Sequence, residues 1–220
     1  MSADAHPLLM PTLLAAARPG ELLTAVDTPA LLLDLDAFER NLDHMQAAAD
    51  AAGVALRPHA KAHKCPDVAK AQILRGAVGI CCQKVAEALP FLRAGISDIH
   101  ISNEIALQPA KAALLAQMAC HGRFSVCVDH GDQVALLARA AAEAGSRLGL
   151  FVEIDVGQGR CGVPADALAV RPLVDAIAAH CAQLEFRGLQ AYHGGIQHLR
   201  GHAERRAAAV RAAERAAAVR

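Results

Sequence analysis

The sequence of 220 residues has no tryptophan, one tyrosine and five phenylalanines, so aromatic residues make up only 3% of it. This scarcity leaves few of the side chains on which single-stranded nucleic acids stack. The 22 basic and 22 acidic side chains cancel, which argues against a basic surface for nucleic acid or membranes. Because 54% of the residues are hydrophobic, the chain can form a full-size core, and we expect that core to be aliphatic and alanine-rich.

The patterns of secretion, membrane insertion and disulfide cross-linking are also absent. The seven cysteines are scattered and form no Cys-x-x-Cys pair. The N-terminus lacks the basic flank of a signal peptide, and the apolar stretch 8–17 is interrupted by Pro11. No uncharged run reaches the roughly 18 residues that span a bilayer. We therefore expect a cytoplasmic protein with neither a membrane nor a nucleic acid as its partner.

Short apolar runs alternate with alanine-rich helical patterns along the chain. The runs occupy residues 30–33, 54–57, 78–82, 98–102, 124–128, 148–154 and 186–191. Asp36, with Glu39 three residues later, has the spacing of a capping box and predicts a helix N-terminus, and Pro66 suits the first turn of another helix. Near-continuous apolar strands that alternate with helices predict a parallel sheet covered on both faces.

Seven such units suit either a (β/α)8 barrel or a doubly wound sheet. A doubly wound dinucleotide fold has a G-x-G-x-x-G turn directly after its first strand, whereas the first run here continues into Asp34-Leu35-Asp36. Residues 157–162 fit that spacing, but they follow the sixth run and precede Val163-Pro164, so we interpret them as a loop. The sequence predicts a TIM-type (β/α)8 barrel with seven βα units present.

The C-terminal part of the sequence lacks the remaining unit of such a barrel. After the seventh run, a helical pattern from His202 continues to the last residue, and no eighth strand follows. We expect a lead segment over residues 1–25 and an incomplete barrel over residues 26–220. A basic interaction tail is the alternative for the last helix, although Glu204 and Glu214 interrupt its arginines.

The densest group of reactive side chains lies at the end of the second run, where residues 57–64 include two histidines and two lysines. Polar residues at the C-terminal ends of barrel strands face a common site. In an extended strand, His59, Lys61 and His63 share one face. A lysine between histidines and small alanines is a candidate for a desolvated amine that forms a Schiff base. A metal site of His59, His63 and Cys65 is the alternative, but a strand would separate the two histidines by about 13 Å.

Two further segments carry candidate binding residues. In the glycine-rich loop 157–162, the backbone can approach a ligand closely while Arg160 presents a fork of donors. A salt bridge from Arg160 to a neighbouring helix is an equally open interpretation. Tyr192, the only tyrosine of the sequence, precedes His193, and its ring could stack on an aromatic ligand or fill the core.

Four segments, in this order, resemble the D-threonine aldolase family: Asp27–Ala30, Arg57–Lys64, Gly157–Gly162 and Tyr192–Gly194. That family belongs to the pyridoxal-phosphate enzymes with an alanine-racemase-like N-terminal barrel, a class that includes 3-hydroxy-D-aspartate aldolases and D-serine dehydratase-like enzymes. The resemblance extends from Asp27 to about Arg200, and the second segment is its most specific part.

The resemblance implies a cofactor site at the ends of the strands. Lys61 would hold pyridoxal phosphate as a Schiff base, and Arg160 would contact the phenolic oxygen of the cofactor ring. The other side chains implied there are Tyr192 and His193 against the cofactor face, with His59, His63 and Gln83 as neighbours. Among these, Lys61, His59 and His63 are the residues implied in catalysis.

The activity implied by the resemblance is that of a lyase. It would cleave the Cα–Cβ bond of a small D-β-hydroxy-α-amino acid, of the D-threonine or 3-hydroxy-D-aspartate type, to glycine and an aldehyde. A dehydratase of D-serine or 3-hydroxy-D-aspartate, and a non-catalytic cofactor-binding barrel, remain alternatives. The resemblance also implies a homodimer at full length and a divalent cation whose ligands lie in a C-terminal β-domain. That domain is absent from this sequence, so we assign no metal ligand and expect the 220-residue chain alone to be inactive.

Overall fold

The computed structural model describes residues 17–219. Residues 1–16 of the predicted lead segment, with nearly all of the apolar stretch 8–17, lie outside the described residues. The chain divides into two compact units, Met1–Asn41 and Leu42–Arg220, and the predicted domain boundary after residue 25 stays a prediction. Within residues 17–219, no helix is both long and apolar enough to cross a membrane.

Helices and strands alternate along most of the described chain. In order, they are α1 (Leu35–Ala51), α2 (Pro66–Leu74), β1 (Ile80–Cys82), α3 (Ala88–Arg93), β2 (Asp98–Glu104), α4 (Pro109–Ala119), β3 (Arg123–Val128), α5 (Gly131–Ala144), β4 (Leu148–Asp155), β5 (Val163–Pro164), α6 (Ala167–Ala178), β6 (Leu184–Ala191) and α7 (His202–Ala217). Short 3-10 helices occupy Leu23–Ala25, Ala60–Ala62, Val85–Glu87 and Gly194–His198.

All the strand pairs are parallel, as the alternation of strands and helices predicts. The strands β1, β2, β3 and β4 pair in that order, and β4 also pairs with β6 along its length and with β5 at its end. Parallel neighbours need long crossover connections, and α3, α4 and α5 provide those between β1, β2, β3 and β4. Consequently, the C-terminal ends of the strands lie at the same edge of the sheet.

The core is aliphatic and rich in alanine, as the composition predicts. The fully buried residues include Ile99, Ile101, Val126, Leu150 and Leu184 from the strands, and Ala69, Ala112, Leu115, Leu137 and Ala141 from the helices. Alanine lets a helix backbone approach the sheet closely, so that the branched residues of the strands fill the space between the layers.

Two of the seven predicted strands are wrong. Residues 30–33 form no strand, and Leu31 is fully exposed. Residues 54–57 run beside β1, where Leu56 O accepts from Val78 N at 3.0 Å, but only an isolated bridge between His59 and Cys81 follows. Pro58 has no N–H to donate, so the ladder cannot continue through it. An apolar run becomes a strand only where neighbours satisfy its backbone groups.

The helix starts also correct one prediction and confirm another. Helix α1 begins at Leu35, and its N-terminal hydrogen bond comes from Ala37 N to Asp34 Oδ1 at 2.9 Å. The predicted N-cap, Asp36, instead lies in the first turn, where its negative charge suits the helix dipole. Pro66 opens α2 as predicted.

Candidate active site

The segment that carries Lys61 is not an extended strand, so the predicted sharing of one face by His59, Lys61 and His63 is wrong. Ala60–Ala62 forms a 3-10 turn, which the ring of His59 caps by accepting a hydrogen bond from Lys61 N at 3.3 Å. Ala60 is buried in the core and fixes the turn to the end of the sheet. The three side chains therefore point in different directions, whereas in an extended strand they would point to the same side.

A cavity of about 200 Å³ lies at the C-terminal ends of the strands. Its lining residues are His59, Lys61, Gln83, Ser102, Arg160, Gln190, Ala191 and Tyr192. Five of the seven predicted site residues meet there, whereas His63 and His193 do not line it. A larger cavity of about 360 Å³ lies at the opposite ends of the strands, beside Gly79 and Asp98, away from these groups.

The amine of Lys61 is held by a neutral partner. Its Nζ donates to Gln83 Oε1 at 3.3 Å, and Gln83 is itself fixed because its backbone N donates to Glu87 Oε2 at 3.1 Å. No carboxylate lies at salt-bridge distance from this amine in residues 17–219. An amide oxygen binds an amine less strongly than a carboxylate does, which leaves Nζ available to a ligand.

His59 is engaged at both ring nitrogens. Because Nδ1 accepts from Lys61 N, the proton of the neutral ring lies on Nε2, which meets Ser102 Oγ at 2.9 Å. Ser102 in turn donates to Cys82 O at 3.4 Å. Burial, and then the charge of Lys61, lower the pKa of His59. A neutral His59 with both nitrogens bonded is suited to holding the Lys61 turn in place.

His63 turns away from the cavity. Its Nδ1 accepts from Cys65 N at 3.1 Å, at the start of α2, and its ring meets Phe91 edge to face at 6.3 Å. Burial lowers the pKa of His63. Its Nε2 is buried without a hydrogen-bond partner in the part of the chain that the structure describes. The contacts of His63 are thus those of a residue that joins α2 to α3.

The glycine-rich loop after β4 is built around Asp155. Asp155 Oδ1 accepts from Gly157 N at 2.8 Å and from Gly159 N at 3.0 Å, and these bonds lower the pKa of Asp155. At the end of the loop, Gly162 N donates to Asp129 Oδ2 at 3.1 Å. Gly162 has a φ of +94°, and a Cβ there would lie 2.8 Å from the carbonyl carbon of Ile154. Only glycine fits this close approach to β4.

The loop presents Arg160 to the cavity. The Arg160 Cζ atom lies 5.3 Å from the ring centroid of Tyr192, within the range of a cation–π contact. Among the described residues, Arg160 has no carboxylate at salt-bridge distance, so a salt bridge to a helix does not account for its position. The guanidinium therefore remains available to a ligand in the cavity.

Tyr192 and His193 point to different places although they are adjacent. Tyr192 is 39% exposed, so it is not a core filler, and its hydroxyl accepts from Gln197 Nε2 at 3.2 Å. His193 packs behind the loop, where a Cβ on Gly157 would lie 3.0 Å from its Nε2. His193 supports the loop and Tyr192 lines the cavity.

The sequence analysis assigned no role to the polar residues beneath the cavity. Gln190 lines its floor and donates to Glu153 Oε2, while its Oε1 accepts from His100 Nε2 at 2.9 Å. Glu153 and His100 are both buried, with 3% and 6% of their surface exposed. The available signal was a polar side chain inside an apolar run, since a buried polar group must have partners.

Residues 33–219 match the family described as Alanine racemase, N-terminal domain. The chain belongs to this family. This match confirms the fold class predicted for the alanine racemase N-terminal domain and the resemblance found in the sequence.

Two curated relatives of this alanine racemase N-terminal domain are aldolases. It is 55% identical over 192 residues to a D-threonine aldolase of an Arthrobacter species, a match that covers 86% of the chain and 49% of the relative. It is 45% identical over 193 residues to a 3-hydroxy-D-aspartate aldolase of Paracoccus denitrificans, which covers 87% of the chain and 49% of the relative. The chain thus spans about half the length of these relatives.

A solved structure agrees with this relationship. The D-threonine aldolase from Filomicrobium marinum superposes with a TM-score of 0.89 at 48% identity, over 93% of the chain and 54% of that protein. The parallel sheet and the loop positions described above therefore belong to a known arrangement of the alanine racemase N-terminal fold.

Proposed function

We propose that this chain supplies the cofactor site of a pyridoxal-phosphate-dependent lyase, which cleaves D-β-hydroxy-α-amino acids to glycine and an aldehyde. The observation that carries the proposal is the convergence of the Lys61 amine and the Arg160 guanidinium on one cavity. Both cations there have neutral neighbours, Gln83 and Tyr192. The similarity to D-threonine and 3-hydroxy-D-aspartate aldolases supports the same activity.

The donors around the cavity fit pyridoxal phosphate. Lys61 would bind the aldehyde group of the cofactor through Nζ, Arg160 would donate to its phenolic oxygen, and the Tyr192 ring would contact its face. When bound, the cofactor supplies an electron sink for the electron pair left on the substrate Cα as the Cα–Cβ bond breaks.

The surrounding residues of the chain prepare the amine for this role. His59 fixes the backbone of the Lys61 turn by accepting a hydrogen bond from Lys61 N, and Gln83 Oε1 orients the amine by accepting a hydrogen bond from Nζ. Because Gln83 is neutral, the amine can give up a proton without leaving a buried carboxylate unpaired. We assign His59 a positioning role on this geometry.

The divalent cation that the resemblance implies at full length stays a prediction. Within residues 17–219, no group of three or more His, Cys, Asp or Glu side chains is placed to hold a metal ion. The homodimer expected at full length and the cytoplasmic location stay predictions.

Borohydride reduction of the chain loaded with pyridoxal phosphate, followed by peptide mapping, tests the proposed site. We expect the reduced cofactor on Lys61. Lys61→Ala should lose the label, whereas Lys64→Ala should keep it, since the exposed Lys64 side chain pairs with Glu87 at 3.7 Å. A label on Lys64 or Lys84 in the native chain would refute the assignment.

The reaction itself is tested with the full-length protein and D-threonine or D-serine. Glycine plus an aldehyde identifies the proposed lyase. A keto acid would instead identify the dehydratase that the sequence left open, and cofactor binding without any product would identify a non-catalytic barrel.

A further inference from the structure

A chain of interacting polar side chains, two of them fully buried, crosses the sheet beneath the cavity. Its members are Ser125 on β3, His100 and Glu104 on β2, Gln190 on β6, and Glu153 on β4. Among the five, Gln190 lines the cavity. His100 and Glu153 are the buried members of this network. Buried polar groups are costly unless they are satisfied, so the protons of the network must be arranged in a definite way.

The proton positions follow from the donors and acceptors. Burial lowers the pKa of His100, so its ring is neutral. The Gln190 amide nitrogen donates to Glu153 Oε2, and its oxygen is therefore the atom that faces His100 Nε2 at 2.9 Å. Nε2 must carry the ring proton, and Nδ1 accepts from Ser125 Oγ at 2.9 Å. The orientation of the Gln190 amide thus sets the tautomer of His100.

The next link joins two carboxyl groups. Burial, and then the Glu104 carboxyl within hydrogen-bonding reach of Glu153, raise the pKa of Glu153. Glu104 Oε1 is buried and has no N–H or hydroxyl donor among the described residues. Two carboxylates have only acceptors, so they can bond to each other only when one of them is protonated. A proton held between Glu104 and Glu153 would give the Glu104 carboxyl a hydrogen-bond donor.

The pair then carries a single negative charge close to Arg160. The charge of Arg160 acts on Glu153 in the direction that favours its ionised form. Burial, and then the nearby Glu104 carboxyl, raise the pKa of the Cys161 thiol, so the loop lies beside the pair. Loss of the shared proton would place two like charges together in the core, and gain of a second would leave Arg160 without a counter-charge there.

We propose that Glu104 and Glu153 share one proton and act as positioning residues, which orient Gln190 and Arg160 at the cavity floor for pyridoxal phosphate. The choice of pyridoxal phosphate as the ligand rests on the proposed function, whereas the shared proton is independent of it. The titratable groups that face the pair are Arg160 and Cys161 from the loop after β4, Cys127 from β3 and His100 from β2.

The single tyrosine of the chain gives a direct readout without cofactor. Chain labelled with ¹³C on the tyrosine ring has one set of ring signals, from Tyr192, which Arg160 contacts at 5.3 Å. We expect these signals to shift as pH rises from the ordinary carboxyl range toward neutrality, when the shared proton leaves. In Glu153→Gln and Glu104→Gln, an amide N–H replaces that proton, so this shift should disappear.

Glu185→Gln is the matched control, because Glu185 lies on β6 but pairs at the surface with Arg187 at 3.5 Å. The control should keep the shift of the native chain. An unchanged titration in both Glu153→Gln and Glu104→Gln would overturn the shared proton.

The double variant Glu104→Gln/Glu153→Gln tests the positioning role, because it keeps hydrogen-bonding groups but removes the negative charge. We expect pyridoxal phosphate to bind about tenfold more weakly than to either single variant, which keeps that charge. Circular dichroism of each variant is the check that the variant folds. Equal affinity in the double and single variants would overturn the positioning role. If the native chain does not bind pyridoxal phosphate at all, the proposed function is refuted. The tyrosine titration then still decides whether the proton is shared.

Discussion

Arg160 reaches the cavity from a loop and makes its nearest ring contact with Tyr192, at 5.3 Å. A guanidinium is planar and can donate two parallel bonds while it stacks on an aromatic face, whereas an ammonium group is a point charge. We therefore expect Arg160→Lys to keep the covalent attachment at Lys61 but to weaken the binding of pyridoxal phosphate about tenfold.

A titration of the cofactor's absorbance measures this effect. Arg171→Lys is the matched control, because Arg171 is exposed on α6 and pairs only loosely with Asp175 at 3.9 Å. Native affinity in Arg160→Lys would reduce Arg160 to a structural role.

Single residues were predictable where strand ends and the resemblance agreed. Lys61, Arg160 and Tyr192 all line the cavity. His63 does not, because a local 3-10 turn, invisible in an alternation of residue types, redirects its side chain. Glu153 stands at a predicted strand end but received no role, because the function of a carboxyl inside an apolar run depends on partners on other strands, which no local pattern contains.

At the scale of elements, the loop between β4 and β5 needs glycine more strictly at Gly162 than at Gly159. Gly159 has a φ of +68° and nothing within 4 Å of a Cβ, whereas a Cβ on Gly162 would meet the backbone of β4 at 2.8 Å. We expect Gly159→Ala to cost about 1 kcal/mol of the free energy of unfolding, from backbone strain alone. Gly162→Ala should cost more than about 3 kcal/mol, because the clash adds to the strain.

Urea denaturation of the two variants compares these costs, and pyridoxal phosphate binding shows whether the loop still presents Arg160. Equal costs for Gly159→Ala and Gly162→Ala would show that the loop moves away from β4 without penalty, contrary to the close packing described here.

The elements themselves were predictable to different degrees. Five of the predicted apolar runs form strands of the sheet, because near-continuous apolar residues suit strands covered on both faces. The runs 30–33 and 54–57 have the same composition but lack a complete ladder. Composition identifies an apolar segment, but strand pairing depends on neighbours distant in sequence, and Pro58 shows how one residue interrupts a ladder.

At the scale of the whole molecule, buried histidines make folding sensitive to acid. Burial lowers the pKa of His59, His63 and His100 from the ordinary value of 6.5. Just below pH 6.5 the unfolded chain binds protons at these positions and the folded chain does not, so the free energy of unfolding falls as pH decreases. Glu153 acts in the opposite sense: its raised pKa makes stability fall as pH increases from the ordinary carboxyl range.

His63→Asn isolates one of the histidine contributions. The Asn oxygen can accept from Cys65 N in place of His63 Nδ1, a bond of 3.1 Å in the native chain, so the start of α2 is preserved while the titrating ring is removed. We expect the free energy of unfolding in urea to fall less between about pH 7.5 and about pH 5.5 than it does in the native chain. His180→Asn, a change at an exposed histidine after α6, should keep the native pH dependence. Equal slopes in His63→Asn and the native chain would mean that His63 becomes protonated in the folded state as readily as in the unfolded one, so that the contacts with Phe91 and Cys65 do not exclude a charged ring.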